Sequence, residues 1–392
     1  MPHYKYLIIG GGMTGDAAVH GIREIDPTGP IGIISQEQDN PYDRPPLTKG
    51  LWKDKPLESI WRHTENERVE FHLGRNVKAI EPAQKRVTDD ARNTYTYDKL
   101  LLATGGRPRQ LPFGDGQIIY YRTLEDYRRL HELTDKNKRF VVIGSGFIGS
   151  EIAAALAMNH KEVGMVFPGK SICDRVFPQD LSEFLNGFYR EKGVELLPGE
   201  SATGLAARNG GLFLKTSSGR ELVAAAVVAG IGIQPNIELA QEAGLKTDNG
   251  IIVDEFLRTT QPDIYAAGDV AAFFSPSLGK NTRVEHEDNA NTMGKMAGHN
   301  MAGKPEPYRH LPFFYSDLFE LGYEAVGELD SRLETFADWK TPFREGVVYY
   351  LNQGRVRGIL LWNVWGQVDN ARALINEPGP FKPDELKGRL PK

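Results

Sequence analysis

The residues of this chain whose types and spacing can do chemistry are first of all glycines. Gly10, Gly12 and Gly15 fit G-x-G-x-x-G, and Gly144, Gly146 and Gly149 fit it again. Such a triple cradles a pyrophosphate. The first glycine permits a tight turn, the second lets backbone approach the phosphates, and the third lets helix pack on strand, with the phosphates at the helix N-terminus. Met13 and Thr14 complete the first turn; Phe147 and Ile148 complete the second. Glu37 stands about 20 residues beyond the first triple, where a carboxylate meets ribose hydroxyls. At the second copy that acid is absent: the strand ends Val166-Phe167-Pro168-Gly169-Lys170. Lys170 and Arg175 stand nearby, either to accept a 2′-phosphate or as plain loop cations, so NADH and NADPH are both open.

Other polar groups cluster around these turns in sequence. In the loop 40–49, prolines force an extended path and exclude helix until Leu47. Arg44 can meet phosphate and Lys49 can reach a flavin ring; equally, both can be solvated cations, and composition does not separate the readings. Glu151 falls one residue into a helix that starts at Ser150, where an acid favours the helix dipole by roughly 0.3–1 kcal/mol whatever else it does. Asp269, after Gly268 at the carboxyl end of a strand, is placed to accept from flavin ribityl hydroxyls. Glu285, His286 and Glu287 lead into a helix whose N-terminus, aimed at a flavin pyrimidine, would stabilise negative charge there. Val77, Thr104, Gly105, Arg122 and Gly232 are further cofactor-contact candidates. Tyr315, beside Ser316-Asp317, is either core or faces a cofactor. No metal-ligating cluster is expected.

The elements that must position these groups repeat. Residues 7–9 read as a buried parallel strand, 14–25 as a helix and 31–35 as the next strand. Residues 140–143, 150–159 and 163–167 read the same way. Each half closes alike, 100–104 running into Gly105-Gly106 and 227–229 into Gly230-Ile231-Gly232. Two copies imply two dinucleotides, or one flavin and one nicotinamide. Between them lie a short helix from Pro56, a strand 69–73, an antiparallel meander (77–80, 86–88, 94–97) and an amphipathic helix 124–133. After a recrossing at Gln234–Asn236 come strands 250–253 and 263–267. Beyond the linker 308–312, strands 325–329, 347–351 and 355–361 and a helix 367–375 form an α+β region. The expected segments are 1–115 with 236–309, then 116–235, then 310–392.

At 392 residues, 40% hydrophobic and 25% charged, the composition is that of an ordinary globular protein of two or three domains. A net charge of −5 gives no basic field for nucleic acid. No apolar run spans a bilayer. The first strand begins by Tyr4, so a cytoplasmic protein without a leader is expected. The single cysteine, Cys173, reads as an incidental loop thiol. It leaves no dithiol relay, so electrons must leave directly from a flavin.

With these residues assembled, the chain resembles, almost end to end, the flavoprotein family of bacterial ferredoxin reductases and apoptosis-inducing factor. The resemblance is carried by Pro-Tyr-Asp-Arg-Pro-Pro-Leu-Thr-Lys (41–49), Ala-Thr-Gly-Gly (103–106), Gly-Phe-Ile-Gly-Ser-Glu (146–151), Ala-Gly-Asp (267–269) and Arg-Val-Glu-His (283–286). Tyr-Ser-Asp-Leu (315–318), Gly-Tyr-Glu-Ala-Val-Gly (322–327) and Leu-Trp-Asn (361–363) look closer to the apoptosis-inducing factor branch. The resemblance implies an α/β protein with two Rossmann-like domains, one for FAD and one for NADH or NADPH, and a C-terminal α+β domain. It implies Lys49 beside the reactive flavin nitrogen and ion-paired with Glu151, and Phe147 shielding the flavin and yielding to nicotinamide. It places His286, Glu324 and Asn363 near the nicotinamide nucleotide, and Arg44, Arg122 and Asp269 on FAD. Two departures stand out: members mostly carry Trp where this chain has Tyr315, and Gly169 replaces the acid that favours NADH. The chain also lacks the mitochondrial leader and C-terminal insertion of the animal proteins, so no cell-death role is expected.

The resulting expectation is an NAD(P)H oxidoreductase that passes hydride to FAD and then electrons to a ferredoxin-type acceptor. A redox-gated binding module with slow turnover, forming a homodimer, is the alternative. A disulfide or peroxide reductase would need a cysteine within 45–49, where there is none.

Overall fold

A computed structural model describes residues 1–208 and 210–391; Asn209, within the expected segment 116–235, and Lys392, at the end of 310–392, lie outside the described residues. The chain divides into two compact units, one of residues 1–44, 57–107 and 234–312, the other of 45–56, 108–233 and the residues from Phe313 on.

In the first unit the apolar run Leu7, Ile8, Ile9 is buried. It forms the end of strand His3–Ile9, which pairs in parallel with Ile31–Ile34 on one side and Thr94–Leu102 on the other. Val69–His72 and Ile264–Ala266 extend this parallel sheet at its two flanks. Thr94–Leu102 is one strand where the sequence suggested two. Its first half alternates in burial and pairs antiparallel with Arg86–Asp89, while Leu100, Leu101 and Leu102 are wholly buried in the parallel sheet. Helices Met13–Ile25 and Glu287–Met301 approach through glycines. A Cβ on Gly21 would lie 2.2 Å from the Lys295 carbonyl oxygen, one on Gly294 2.5 Å from that of Thr14, and one on Gly298 2.3 Å from that of Ala18.

The second unit contains a five-stranded parallel sheet in the order Val194–Pro198, Glu162–Phe167, Arg139–Ile143, Ala226–Ala229, Ile118–Tyr120. It also has a three-stranded antiparallel sheet (Ala202–Arg208, Gly211–Thr216, Glu221–Ala224) and a five-stranded antiparallel sheet with helix Val368–Asn376. Two strands of that last sheet, Phe313–Leu318 and Glu334–Thr341, escaped the sequence reading. They are its outer strands: Phe313–Leu318 is mostly half-buried and Glu334–Thr341 buries only Asp338, so neither shows the unbroken buried apolar run of the parallel strands.

Two local expectations need correction. Pro45–Thr48 is already a 3₁₀ turn, although prolines were expected to exclude helix until Leu47. Proline's fixed φ suits the first position of a helical turn, where its missing N–H costs nothing. The second alanine-rich helix is Phe147–Met158, starting three residues before Ser150. Glu151 is therefore its fifth residue, outside the first turn, and the dipole argument does not account for it. Among the described residues, no helix is long and apolar enough to cross a membrane.

Candidate functional site

The first glycine turn separates its three glycines by what surrounds them. Gly10 has φ +121°, and a Cβ there would meet the Ala103 carbonyl oxygen at 2.1 Å; one on Gly15 would meet that of Gly10 at 2.2 Å. A Cβ on Gly12 would find nothing nearer than Arg44 Nη2 at 3.8 Å. The first and third glycines are thus required by backbone packing. The middle one borders open space at the N-terminus of helix Met13–Ile25, which is the fit a pyrophosphate needs.

Around this turn the first unit gathers several candidates. The Arg44 guanidinium pairs with the Glu37 carboxylate, Tyr42 donates to Glu37 Oε2 at 2.5 Å, and the Arg44 N–H lies 3.5 Å from Met13 Sδ. Burial works against the Arg44 charge, but Tyr42, Glu37 and Asp269 outweigh it and raise its pKa. Gly268, at φ +77°, lies against Thr14, whose Oγ1 would be 2.2 Å from a Cβ there. Asp269 follows in the same turn; its carbonyl accepts from Arg283 Nη1 at 2.8 Å, and Arg283 pairs with Glu285 at 2.6 Å. His286 caps helix Glu287–Met301 through its backbone. Desolvation pushes its imidazole down to about 4, against the opposing pull of Asp269 and Asp288. Thr104 and Gly105 are tied to Asn236: Thr104 Oγ1 donates to its carbonyl at 3.0 Å, and the Asn236 N–H donates to the Gly105 carbonyl at 3.0 Å. Val77 is a core residue of its strand.

The second turn repeats the first. Gly144 has φ +106°, and a Cβ there would meet the Gly230 carbonyl oxygen at 2.4 Å; one on Gly149 would meet that of Gly144 at 2.2 Å; one on Gly146 would meet nothing within 4 Å. Gly232, at φ +88°, accepts from the Arg109 N–H at 2.9 Å. Cys173 is a feature of this turn. It is buried at φ +55°, and its N–H donates to the Ser145 carbonyl at 2.9 Å. Burial pushes its thiol up to about 12. Lys170 is exposed; its N–H donates to Asp174 Oδ2 at 3.0 Å. Arg175 is exposed and its carbonyl accepts from Ser331.

A dense polar cluster of the second unit centres on Glu151, 3% exposed. Its Oε2 accepts from Lys49 Nζ at 2.8 Å and Thr48 Oγ1 at 2.5 Å, and its Oε1 from Ser316 Oγ at 2.5 Å. The Lys49 ammonium also lies 5.3 Å from the centre of the Tyr315 ring. Phe147 packs on Phe314, ring centres 5.1 Å apart, and Ile148 is exposed. Such a clamp fixes one positive charge in place without solvent reorganisation. Sequence reasoning paired Lys49 with Glu151 through resemblance but missed Thr48 and Ser316. Their only signal is that each is the chain neighbour of a candidate, Lys49 and Tyr315.

Three further candidates lie elsewhere in the second unit. Glu324, opposite Tyr315 on the neighbouring strand, accepts from the Gly366 N–H at 3.1 Å, and burial raises its pKa. Asn363, at φ +51°, accepts from the Gly322 N–H at 2.7 Å and donates to the Arg344 carbonyl at 2.8 Å. Arg122 lies just before helix Leu124–Lys136, its N–H held by Asp126 at 3.0 Å.

Residues 4–294 match the model of the pyridine nucleotide-disulphide oxidoreductases. Residues 297–342 and 337–377 match the C-terminal model of apoptosis-inducing factor, mitochondrion-associated. The chain is 36% identical to apoptosis-inducing factor 1, mitochondrial, of Dictyostelium discoideum, the match covering 95% of this chain and 78% of that protein. It is 33% identical to the ferredoxin reductase subunit of 5,5′-dehydrodivanillate O-demethylase from Sphingobium, over 96% and 94% of the two chains. Putidaredoxin reductase, in its covalent complex with putidaredoxin, superposes with a TM-score of 0.90 at 30% identity, over 98% of this chain and 96% of that one.

Proposed function

The chain belongs to the pyridine nucleotide-disulphide oxidoreductase family, and from that premise we propose that it is a FAD-dependent NAD(P)H oxidoreductase serving a ferredoxin-type acceptor. FAD, when bound, would supply a hydride acceptor for the nicotinamide and a source of single electrons. The observation that carries the reading is the pair of glycine turns, in each of which backbone fills the space beside the outer glycines and leaves the middle one open.

In this reading residues 1–115 and 236–309 hold FAD, 116–235 hold the nicotinamide nucleotide, and 310–392 form an interface region. Gly10, Gly12, Met13, Thr14 and Gly15 cradle the FAD pyrophosphate. Arg44 adds positive charge beside it, and Glu37 and Asp269 accept from hydroxyls. Gly144, Gly146 and Gly149 do the same for the second nucleotide. Lys49, clamped by Glu151, supplies a fixed cation to the flavin ring. Helix Glu287–Met301, capped by a neutral His286, directs its positive end at the pyrimidine. Cys173 is the chain's one cysteine and is buried with a raised thiol pKa, so the sulfur has no relay role. We also place the protein in the cytoplasm, where a lone thiol persists reduced, and allow it to pair as a homodimer.

The test is direct. Purified protein should be yellow, release FAD on denaturation, bleach anaerobically with NADH or NADPH, and recover colour faster when an oxidised ferredoxin is added. Protein that stays colourless after incubation with FAD overturns the proposal. The match to the apoptosis-inducing factor C-terminal model favours a second reading, a redox-gated binding protein. Reduced protein that persists in air for many minutes and ignores ferredoxin would select it.

A further inference from the structure

The end of strand Glu162–Phe167 is where a nucleotide-binding unit of this kind keeps the carboxylate that meets the adenosine ribose, and residue 169 is glycine. The space beside that glycine is filled. A Cβ on Gly169 would lie 2.3 Å from Asp174 Oδ2, 3.0 Å from its Cγ and 3.1 Å from Oδ1. A carboxylate five positions later therefore occupies the place that a side chain of residue 169 would take. Lys170 N–H donates to its Oδ2 at 3.0 Å, leaving Oδ1 to accept from another donor.

The loop carrying Asp174 is held to the second glycine turn. The neighbouring Cys173 donates its N–H to Ser145, inside the turn, at 2.9 Å. The buried Asn186 side chain accepts from the Ile172 N–H at 3.1 Å and donates to the Lys170 carbonyl at 3.0 Å. Cys173 takes φ +55° to make the reversal. The exposed cations of the same loop, Lys170 and Arg175, flank Asp174 in sequence.

Building on the proposed nucleotide site, we infer that Asp174 is the specificity-determining residue for the nicotinamide cofactor: its carboxylate accepts from the adenosine ribose hydroxyls and repels a 2′-phosphate, so the chain takes NADH over NADPH. Gly169 is glycine because any side chain there would displace that carboxylate.

Equilibrium binding of ADP-ribose and 2′-phospho-ADP-ribose to the FAD-loaded protein, by calorimetry, reads the adenosine half alone and needs no turnover. ADP-ribose should bind at least about tenfold tighter than its phosphorylated analogue. Asp174→Asn keeps an acceptor for the Lys170 N–H but loses the charge, and should bring the two affinities within about threefold. Gly169→Ala, which evicts the carboxylate, should narrow the ratio likewise. Equal or tighter binding of the 2′-phosphorylated ligand by the unaltered protein, or an unchanged ratio in both variants, overturns the assignment and leaves the nucleotide site standing. If neither ligand binds the unaltered protein, the nucleotide site itself fails and the assignment falls with it.

Discussion

Replacing Lys49 with methionine tests the Glu151 clamp most sharply, because stability and rate should respond differently. The pair is 2.8 Å apart, with the two side chains 11% and 3% exposed. Removing one partner of a buried pair typically costs about 3–5 kcal/mol, because the other charge is left without its counterion. Thr48 and Ser316 still donate to Glu151, which places the expected cost at the lower end, about 3 kcal/mol. For a cooperative unit of roughly 200 residues, this lowers Tm by about 6–12 °C. Adding Glu151→Gln removes the stranded charge. The double variant should therefore recover at least about 1 kcal/mol relative to the sum of the singles in urea unfolding of the FAD-loaded protein. The rate should not recover. Bleaching by NADH in a stopped-flow instrument should slow about tenfold or more, equivalent to about 1.4 kcal/mol of barrier, in the single and the double variant alike, since both lack the cation. Additive stabilities would show that the clamp is not energetically coupled. An unchanged bleaching rate would remove Lys49 from the chemistry.

Other outcomes follow from single contacts. Gly298→Ala puts a Cβ 2.3 Å from the Ala18 carbonyl oxygen and should destabilise by about 1–3 kcal/mol. Gly187→Ala, with nothing within 4 Å in helix Gln179–Glu191, should be neutral or stabilise by up to about 1 kcal/mol; thermal melts of the two that agree would sink the close-packing argument. Cys173, its thiol pushed up to about 12 by burial, should resist Ellman's reagent at pH 8 in folded protein and react once per chain in guanidinium. Its raised pKa stabilises the fold below about pH 8.5, and that contribution is lost as pH rises through about 12. His286 has the opposite sign. Its folded pKa of about 4 contributes stability present above about pH 6.5, its unfolded value, and lost as pH falls through the folded value. Urea midpoints between pH 7 and pH 5 should therefore fall less in His286→Asn than in the unaltered protein, by at most about 2 kcal/mol of difference; identical slopes would contradict the burial of a neutral ring.

The glycine spacing made both turns legible, because their outer glycines answer a backbone demand that no other residue meets: Gly10 at φ +121° against Ala103, Gly144 at φ +106° against Gly230. The parallel strands were legible for a similar reason, since Leu7–Ile9 and Phe140–Ile143 are buried on both faces and read as unbroken apolar runs. What escaped was whatever depends on a second segment. Strand Glu334–Thr341, paired with Glu345–Asn352, has Asp338 as its one buried residue, so its sequence shows no buried apolar run. The helix boundary at Phe147 moved because the fingerprint's own residues turn helical directly after Gly146.

Side-chain partnerships are the hardest part to read, and Glu151 shows why. From sequence it is an acid near a helix start, a position with an adequate local explanation, and only resemblance tied it to Lys49. Its three donors come from two stretches distant from its own helix: Thr48 and Lys49 from a proline-rich loop and Ser316 from the edge of an antiparallel sheet. The same holds for Asp174. A motif search scores residue 169 as an absent acid, because it assumes that the residue at the strand end must supply the group that occupies the space. The structure separates the two: Gly169 gives the space and Asp174 fills it. The place of a carboxylate is defined by where its oxygens lie, and a chain can bring them there from a position whose number carries no signal.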